Sequence, residues 1–362
     1  MNKLPRILVA FAILLGVSFY EPCAHAQEAS ITGDGTIQSL AQNHAVPKVR
    51  EAIEAVNKGD YAKAMPVLQE FAKKDDVGAT YVLGRLHNYG LGVEASIEKA
   101  TELFMANAES GHTPSMMALA AIKQSSKPAE AIYFVKQAAS AGDVAAMVQL
   151  GSIYETGKLG VTENPKQAFN YFKEASELGN PFGDYHLARC YDLGIGVSAN
   201  EVQSTRLYRK AAFGGVVDAN SIMAKRYFEG KGLEADPIAA IGWLTRGAQN
   251  GSAEAMVVLG ERYAKGDTLK QDINRAGQLF SQAAKMGNPT GTYKLGMMFL
   301  NGTGTKSDPV RAYVLLSGAP THPEAQQQLQ TLKRFLTPDQ LKSAQEQVAK
   351  IATEQTAGKS GK

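Results

Sequence analysis

Apolar residues recur along the chain at helical spacing, in short blocks that are each closed by glycine. In the clearest blocks a small residue is followed four positions later by leucine and then by glycine, at 79–84, 146–151, 255–260 and 291–296. Weaker copies begin at Ser115, Gly183 and Ala219. The seven starts, at 79, 115, 146, 183, 219, 255 and 291, are separated by 36, 31, 37, 36, 36 and 36 residues. The pattern therefore indicates an internal repeat with a period of 36 residues rather than a set of independent domains.

Each repeat predicts two helices joined by a glycine turn. The first helix stops at paired glycines, because glycine adopts the left-handed conformation at a helix end without a steric clash. These pairs are Gly90 and Gly92, Gly194 and Gly196, Gly230 and Gly232, and Gly302 and Gly304. The second helix opens with a capping residue and a proline, as in Asn164-Pro165, Asp236-Pro237 and Asp308-Pro309. It then carries a small residue and a bulky pair, such as Ala100 before Leu103-Phe104, which predicts close packing of helices.

These motifs carry a resemblance to a known family. The pattern Ala-x-x-x-Leu-Gly-x-x-Tyr-x-x-Gly-x-Gly, followed by a short turn, Lys-Ala and a bulky pair, resembles Sel1-like repeats, which are related to the tetratricopeptide repeat. The resemblance covers residues 78–323 in seven copies. It departs from the family pattern in the second copy, which lacks the glycine turn, and in the sixth, which has Gly266-Asp-Thr268 in its place. The resemblance implies an all-α fold, a right-handed α/α superhelical solenoid of about seven tetratricopeptide-like helical hairpins with terminal capping helices.

The regions that flank the repeats predict helices and tails. Residues 48–76 resemble a diverged tetratricopeptide-like helical pair, and 324–352 predict two C-terminal capping helices, because a terminal repeat would otherwise expose its apolar face. Residues 27–47 predict a flexible N-terminal segment, and 353–362 predict a disordered tail, since both stretches are polar.

The first 26 residues differ in character from the rest of the chain. Lys3 and Arg6 precede an apolar run at 7–17, and Ala24-His25-Ala26 places small residues where a signal peptidase cleaves. This arrangement is typical of a secretory signal peptide over residues 1–26, with cleavage before Gln27. No later run approaches the length of a membrane-spanning helix, so no integral membrane segment is expected after cleavage. We expect an exported protein that is periplasmic or secreted.

Composition and charge exclude several classes. An apolar content of 44% excludes an intrinsically disordered chain, and the 35 glycines are largely explained by the helix ends. The 38 basic and 35 acidic residues are scattered, with a net charge of +3, so a nucleic-acid partner is not expected. Cleavage would leave one cysteine, Cys190, which excludes an internal disulfide.

One motif suggests an enzyme. Ser96-Ile-Glu-Lys99 fits the Ser-x-x-Lys pattern of penicillin-recognising enzymes, and some cysteine-rich Sel1 repeat proteins are β-lactamases. Neither Ser-Asp-Asn nor Lys-Thr-Gly accompanies the motif here, and the repeats lack the paired cysteines of that group. We therefore interpret Ser96 as a helix cap and Lys99 as the usual lysine before alanine.

Metal and cofactor sites are not expected. The histidines after residue 26 are His44, His87, His112, His186 and His322, and none has a second histidine three or four residues away. Cys190 lies four residues after His186, but two ligands are fewer than a protein zinc site uses. His87 stands where other copies have tyrosine or phenylalanine, which favours packing over catalysis. We predict no catalytic residue and no cofactor.

A binding surface is the remaining candidate site. By resemblance to tetratricopeptide superhelices, the first helices line a concave face, and the outward positions lie two before, two after, and five or six after the repeat leucine. The candidate partner-binding residues at these positions are Tyr81, Arg85, Asn88, Tyr89, Tyr185, Arg189, Asp192, Lys225, Phe228, Glu229, Tyr293 and Met297. Tyrosine and arginine often anchor binding, although about half of these aromatic residues could instead pack between repeats.

The sequence thus predicts a non-enzymatic scaffold or adaptor of the bacterial envelope. It would bind a protein or an extended peptide along the concave face, with envelope or secretion-system components as partners. The alternative is a β-lactamase-like or peptidoglycan-fragment-binding envelope protein.

Overall fold

The computed structural model describes residues 35–360, with side chains described as far as Glu354. These residues form 19 α-helices and no strand. The helices are α1 Thr36–Asn43, α2 Pro47–Asn57, α3 Tyr61–Ala72, α4 Val77–Tyr89, α5 Ile97–Glu109, α6 Thr113–Lys123, α7 Pro128–Ser140, α8 Val144–Thr156, α9 Pro165–Glu177, α10 Pro181–Leu193, α11 Glu201–Phe213, α12 Val217–Glu229, α13 Pro237–Gln249, α14 Ala253–Lys265, α15 Ile273–Lys285, α16 Pro289–Asn301, α17 Pro309–Ser317, α18 Pro323–Phe335 and α19 Pro338–Ser360. The all-helical prediction is confirmed.

The described chain divides into two compact units. Unit 1 reaches Phe134 and contains α1 to α6, and unit 2 runs from Val135 to Ala357 and contains α8 to α19. Within each unit, consecutive helices pair into hairpins, such as α4 with α5 in unit 1 and α10 with α11 in unit 2.

The helix ends follow the predicted chemistry. Gly90 and Gly194 close α4 and α10 in the left-handed conformation, with φ of 68° and 72°. The second glycine of each pair has a further role that the sequence did not show. A Cβ on Gly232 would lie 2.3 Å from the carbonyl oxygen of Glu201, which begins the previous second helix. The turn therefore requires glycine both for its backbone conformation and for the close approach of the neighbouring repeat.

The core of each hairpin combines small and bulky positions. Ala100, Ala168 and Ala276 are fully buried, and so are the rings of Phe104 and Phe172. The glycine after the repeat leucine lies against the ring of the partner helix, since a Cβ on Gly84 would be 2.6 Å from Cε1 of Phe104. Glycine at this position lets an aromatic ring lie directly on the helix backbone, and the two helices pack closely.

Two terminal predictions differ from the structure. The segment predicted as flexible, 27–47, contains α1 over Thr36–Asn43, because Ile37 and Ala41 share one face of the helix and are buried. The tail predicted as disordered, 353–362, continues α19 as far as Ser360. No proline interrupts this stretch, and Lys350 pairs with Glu354 at 3.9 Å. The predicted signal peptide and its cleavage site lie outside the described residues.

Candidate interaction face

The candidate site is the outward side of the first helices, here called the first-helix face. In unit 2 it belongs to α8, α10, α12, α14 and α16. Most of these helices start at a side-chain cap, such as Asn180 for α10 and Ser252 for α14. All five end at a left-handed glycine. Because each helix begins and ends at the same point of the repeat, the outward positions recur in register.

In unit 1, two of the predicted binding residues are buried. Tyr81 is 2% exposed and Arg85 is 9% exposed. Arg85 donates from Nη1 to the Tyr81 hydroxyl at 3.0 Å, and the Tyr81 ring packs on Phe104 with centroids 5.8 Å apart. Both residues therefore contribute to helix packing in the first repeat.

The remaining predicted residues of unit 1 are half-buried. These are Asn88 and Tyr89. The Arg85 guanidinium lies 5.3 Å from the Tyr89 ring centroid, which holds the tyrosine against the helix.

In unit 2, salt bridges link the first helices of neighbouring repeats. Arg189 pairs with Glu155 of the preceding repeat at 2.7 Å. Asp192 accepts Arg226 of the following repeat at 2.7 Å and Lys231 at 2.8 Å. Arg189 and Asp192, both predicted as binding residues, are thus fixed by charged partners across the repeat boundary.

The later repeats extend this set of contacts with aromatic side chains. Arg262 lies 4.2 Å from the ring centroid of Phe228, and Tyr293 stacks on His322 with centroids 4.4 Å apart. These predicted residues are only partly available to a partner, as the interpretation of aromatic packing between repeats allowed.

Other predicted residues remain open to solvent. The Lys225 side chain is 74% exposed and that of Glu229 is 49% exposed, with 3.9 Å between their charged atoms. Tyr185 and Met297 are half-buried. Tyr185 packs edge-on against Tyr208 with centroids 5.6 Å apart, so its ring is oriented before any partner arrives.

The electrostatics of the face follow from these contacts. Burial alone would raise the pKa of Asp192, but the hydrogen bonds from Lys231 and Arg226 outweigh it and lower the pKa below its usual value. Burial, reinforced by the charge of Asp218, raises the pKa of Tyr185. Asp192 is therefore ionised and Tyr185 is a neutral hydroxyl at neutral pH.

Sequence reasoning missed the partners of these residues. Arg226 is 2% exposed, and it bonds the hydroxyls of Thr205 at 2.7 Å and Ser204 at 2.9 Å in addition to Asp192. Glu155 was also missed. A search for opposite charges at nearby positions of successive repeats would have found both residues.

The candidates for enzyme chemistry occupy structural positions. Ser96 is the N-cap of α5, where its Oγ accepts the backbone N–H of Lys99 at 3.2 Å. Cys190 is 1% exposed, and burial together with the charge of Glu155 raises the pKa of its thiol to about 12. The thiol is therefore protonated and shielded from reagents. Among the described residues, no three His, Cys, Asp or Glu side chains are grouped so that they could hold a metal ion.

The repeats of this chain match a known protein family. The Sel1 repeat family matches seven segments, at residues 77–112, 120–143, 144–180, 181–215, 217–252, 253–288 and 289–317. These segments make up more than half of the chain. The protein belongs to the Sel1 repeat family. Sel1 repeat proteins are generally protein-interaction scaffolds, bind proteins and are typically non-enzymatic.

Two solved structures share the fold of this Sel1 repeat protein. One is a Sel1 repeat protein from Oxalobacter formigenes, which is 24% identical with a TM-score of 0.68, over 87% of this chain and 95% of that chain. The other is c5321, a protective antigen of uropathogenic Escherichia coli strains that has the Sel1-like repeat fold. It is 24% identical with a TM-score of 0.66, over 89% of this chain and 71% of that chain. Within residues 35–360, no helix is both long and apolar enough to cross a membrane.

Proposed function

We propose that this protein is an exported scaffold of the bacterial envelope that binds a peptide or protein on the first-helix face of unit 2. The observation that carries the proposal is the recurrence of partly or largely exposed aromatic and charged side chains on three first helices of unit 2. Tyr185 and Arg189 lie on α10, Lys225 and Glu229 on α12, and Tyr293 on α16. A partner that contacts several repeats at once gains binding energy from each of them.

The salt bridges between repeats support this role by fixing the side chains in advance. Arg189 is held by Glu155, which is 12% exposed, while the arginine itself remains 35% exposed. Its guanidinium presents N–H groups in a fixed fork, and those not used by Glu155 can donate to a partner's carbonyl or carboxylate. Because the side chain is already ordered, binding costs less conformational entropy than for a free arginine.

The test combines partner capture with variants on one helix. A photo-crosslinking amino acid at Lys225 identifies the bound protein, and its dissociation constant is then measured for Tyr185→Ala and Arg189→Ala. We expect each variant to weaken binding about tenfold or more, the effect of losing an interface anchor. The matched control is Lys173→Ala on the second helix α9, where Lys173 is 54% exposed and pairs with Glu177 at 3.7 Å. We expect less than about a twofold change for this control.

The proposal fails if both face variants bind as well as the unmodified protein while the crosslink still forms. Circular dichroism and thermal melts of each variant separate lost binding from lost folding.

The exported location is tested separately. We expect the periplasmic or secreted protein to begin at Gln27, as measured by intact mass after cell fractionation. Replacing Leu14 and Leu15 by arginine breaks the apolar run at 7–17 and should leave the uncleaved chain in the cytoplasm. Export of that double variant would contradict the assignment.

A further inference from the structure

Unit 1 contains a cavity that the first-helix face does not explain. It has a volume of about 610 Å³ and lies between the end of α3, α4 and α5. Ala72, Leu83, Leu103 and Ala106 contribute apolar walls. The volume is within the range of small-ligand pockets. None of the predicted binding residues of unit 1 lines it.

The corresponding positions in the fifth repeat, in unit 2, carry larger side chains. The repeat starts at 79 and 219 put Leu103 and Ala106 in register with Trp243 and Arg246. The Trp243 ring meets Phe213 edge-on, with centroids 5.3 Å apart. The Arg246 guanidinium lies 4.6 Å from the Phe213 centroid and 5.8 Å from that of Trp243. In this repeat, a ring and a cation therefore stand at the register positions of Leu103 and Ala106, and a second ring packs beside them.

Two other repeats of unit 2 also place a cation near an aromatic ring, at other positions of the repeat. Tyr154 stacks on Tyr171 with centroids 5.8 Å apart, and Lys136 Nζ lies 5.9 Å from the Tyr154 centroid. In the seventh repeat, Arg311 lies 4.3 Å from the Phe299 centroid. A ring beneath a cation is a favourable pair whenever water is partly excluded. The first repeat has His87 at the position of Tyr154 and Phe299, so it lacks the large ring.

The rim of the cavity is acidic. Asp75 and Glu102 both line it, and Lys99 is the only basic side chain among the lining residues. Burial, followed by the charge of Lys99, lowers the pKa of His87, so the imidazole is neutral at neutral pH. The lining groups therefore carry a net negative charge, which favours a cationic occupant.

The backbone conformation of Asp75 is an unfavourable one for a residue other than glycine. Its φ is 58°, in the left-handed region, and it stands at the repeat position that holds Gly111 and Gly215 in later copies. A left-handed residue other than glycine costs roughly 1 kcal/mol. A carboxylate has thus replaced glycine where glycine is the easier residue, and it lines the cavity.

His87 adds an unused hydrogen-bond acceptor. It is 7% exposed and lines the same cavity. One ring nitrogen bonds the backbone of Glu94, while Nδ1 has no hydrogen-bond partner among the described residues. This nitrogen has almost no accessible surface, so it lies within the wall of the cavity and the proposed contacts do not involve it.

We propose that this cavity receives an aromatic side chain and a neighbouring arginine or lysine from a partner peptide. The ring packs on Leu103 and Ala106, and the cation pairs with Asp75 and Glu102. These are the groups that the chain supplies to itself in unit 2. The inference rests on the proposed function only in that the occupant is a peptide, and its contact site is separate from the first-helix face.

The test uses the full chain and three blocked dipeptides as probes: N-acetyl-Trp-Arg-amide, N-acetyl-Trp-Glu-amide and N-acetyl-Ala-Arg-amide. Amide chemical shifts measured by NMR locate the binding site. We expect shifts from Trp-Arg confined to residues 72–110, and a dissociation constant at least about threefold lower than for either control peptide. Absence of shifts up to about 10 mM peptide, or shifts centred elsewhere, overturns the proposal.

Two variants test the ring contact and the charge contact of the cavity separately. Ala106→Arg installs the residue of the fifth repeat and should abolish Trp-Arg binding. Asp75→Gly restores the residue of the other repeats, so it should leave the melting temperature unchanged or higher. It should also remove the preference for Trp-Arg over Trp-Glu while ring binding remains. An unchanged preference in Asp75→Gly overturns the proposal.

The variant Arg189→Ala separates this inference from the proposed function. We expect it to bind Trp-Arg as the unmodified protein does. If Tyr185→Ala and Arg189→Ala both keep their full affinity for the crosslinked partner while Ala106→Arg loses the dipeptide, the proposal for the first-helix face fails and that for the cavity stands. If the face variants lose affinity for the partner while Ala106→Arg still binds the dipeptide, the proposal for the first-helix face stands and that for the cavity fails.

Discussion

At the scale of single residues, glycine in this protein does two opposite things inside helices. Gly260 lies in α14 with a site for Cβ only 2.7 Å from Cε1 of Phe280, whereas Gly242 in α13 has no atom within 4 Å of that site. Both are helical, so an alanine gains the same intrinsic helix propensity at either position. The atoms around the added Cβ therefore decide whether alanine stabilises or destabilises the protein.

We therefore expect Gly260→Ala to destabilise unit 2 by about 1 to 3 kcal/mol, because the Phe280 ring must move. Gly242→Ala is the matched control and should stabilise by up to about 1 kcal/mol. Urea unfolding followed by circular dichroism measures both values. Similar effects from the two substitutions would mean that the ring does not rest on the helix backbone.

A half-buried histidine makes stability depend on pH. His186 stacks on Phe172 with centroids 4.7 Å apart. Burial, followed by the charge of Arg189, lowers its pKa from 6.5 to about 4. Between these values the unfolded chain binds a proton that the folded chain does not. The free energy of unfolding is therefore highest above pH 6.5, and it decreases as the pH falls towards 4.

We expect His186 to account for a loss of about 2 kcal/mol of unfolding free energy between pH 7 and pH 5. His186→Phe keeps a ring on Phe172 and should reduce this loss. A smaller dependence should remain, since burial also lowers the pKa of His87 and His112. Urea unfolding at both pH values measures the difference, and an unchanged loss in the variant would contradict the assignment.

At the scale of helices, caps set where each element begins. Asp236 accepts the backbone N–H groups of Ile238 and Ala239, both at 2.9 Å, and Asn288 accepts that of Gly291 at 2.9 Å. The Asp236 cap was predicted from a polar residue before proline, and Asn288 before Pro289 follows the same local pattern. The helix starts were therefore available from local sequence, because a cap bonds residues only two or three positions away.

Ser96 provides a prediction that separates a cap from a nucleophile. Ser96→Ala should cost about 1 kcal/mol of stability, because the Lys99 N–H loses its acceptor at the start of α5. Ser96→Asp restores a capping oxygen and should recover most of that loss. Thermal melts measure both. Turnover of a chromogenic β-lactam by the unmodified protein, abolished in Ser96→Ala, would instead assign a catalytic role to this serine.

Helix α1 shows what local sequence did not reveal. Its eight residues, Thr36–Asn43, are mostly polar, and the segment was predicted to be flexible. Ile37 is nevertheless fully buried. His44, which follows the helix, places Nε2 3.1 Å from Oδ1 of Asp76, the N-cap of α4. A short helix of this kind depends on contacts with distant residues, and the hydrophobic pattern of the segment does not contain them.

At the scale of the whole molecule, a repeat protein must close its last apolar face. In unit 2 this is done by α18 and α19, where Leu329 and Leu332 join a buried cluster with Leu316 and Tyr313 of the seventh repeat. Leu316 is fully buried and Tyr313 is 6% exposed. The terminal helices are thus part of the core of the unit.

Deleting residues 323–362 should expose this cluster and lower the unfolding free energy of unit 2 by on the order of 3 kcal/mol or more, with aggregation at high concentration. The control deletion, 355–362, removes only the end of α19 and should have little effect. Urea unfolding and light scattering measure both. A truncated protein with an unchanged midpoint would show that the seventh repeat does not need its cap.

The sequence by itself determined the helices of the repeats, the period, the turns and the small and bulky core positions. Each of these depends on neighbours within one repeat, such as Gly90 at the end of its own helix or Ala100 beside Phe104. The structure decided the contacts between repeats. Tyr81 is buried rather than accessible, and Arg189 is held by Glu155. These outcomes depend on how closely two helices approach and on which side chains meet between them. The repeat period in the sequence specifies neither. For the same reason the cavity beside Asp75 could not be seen in the sequence, since it exists only where three helices meet and none of them fills the space.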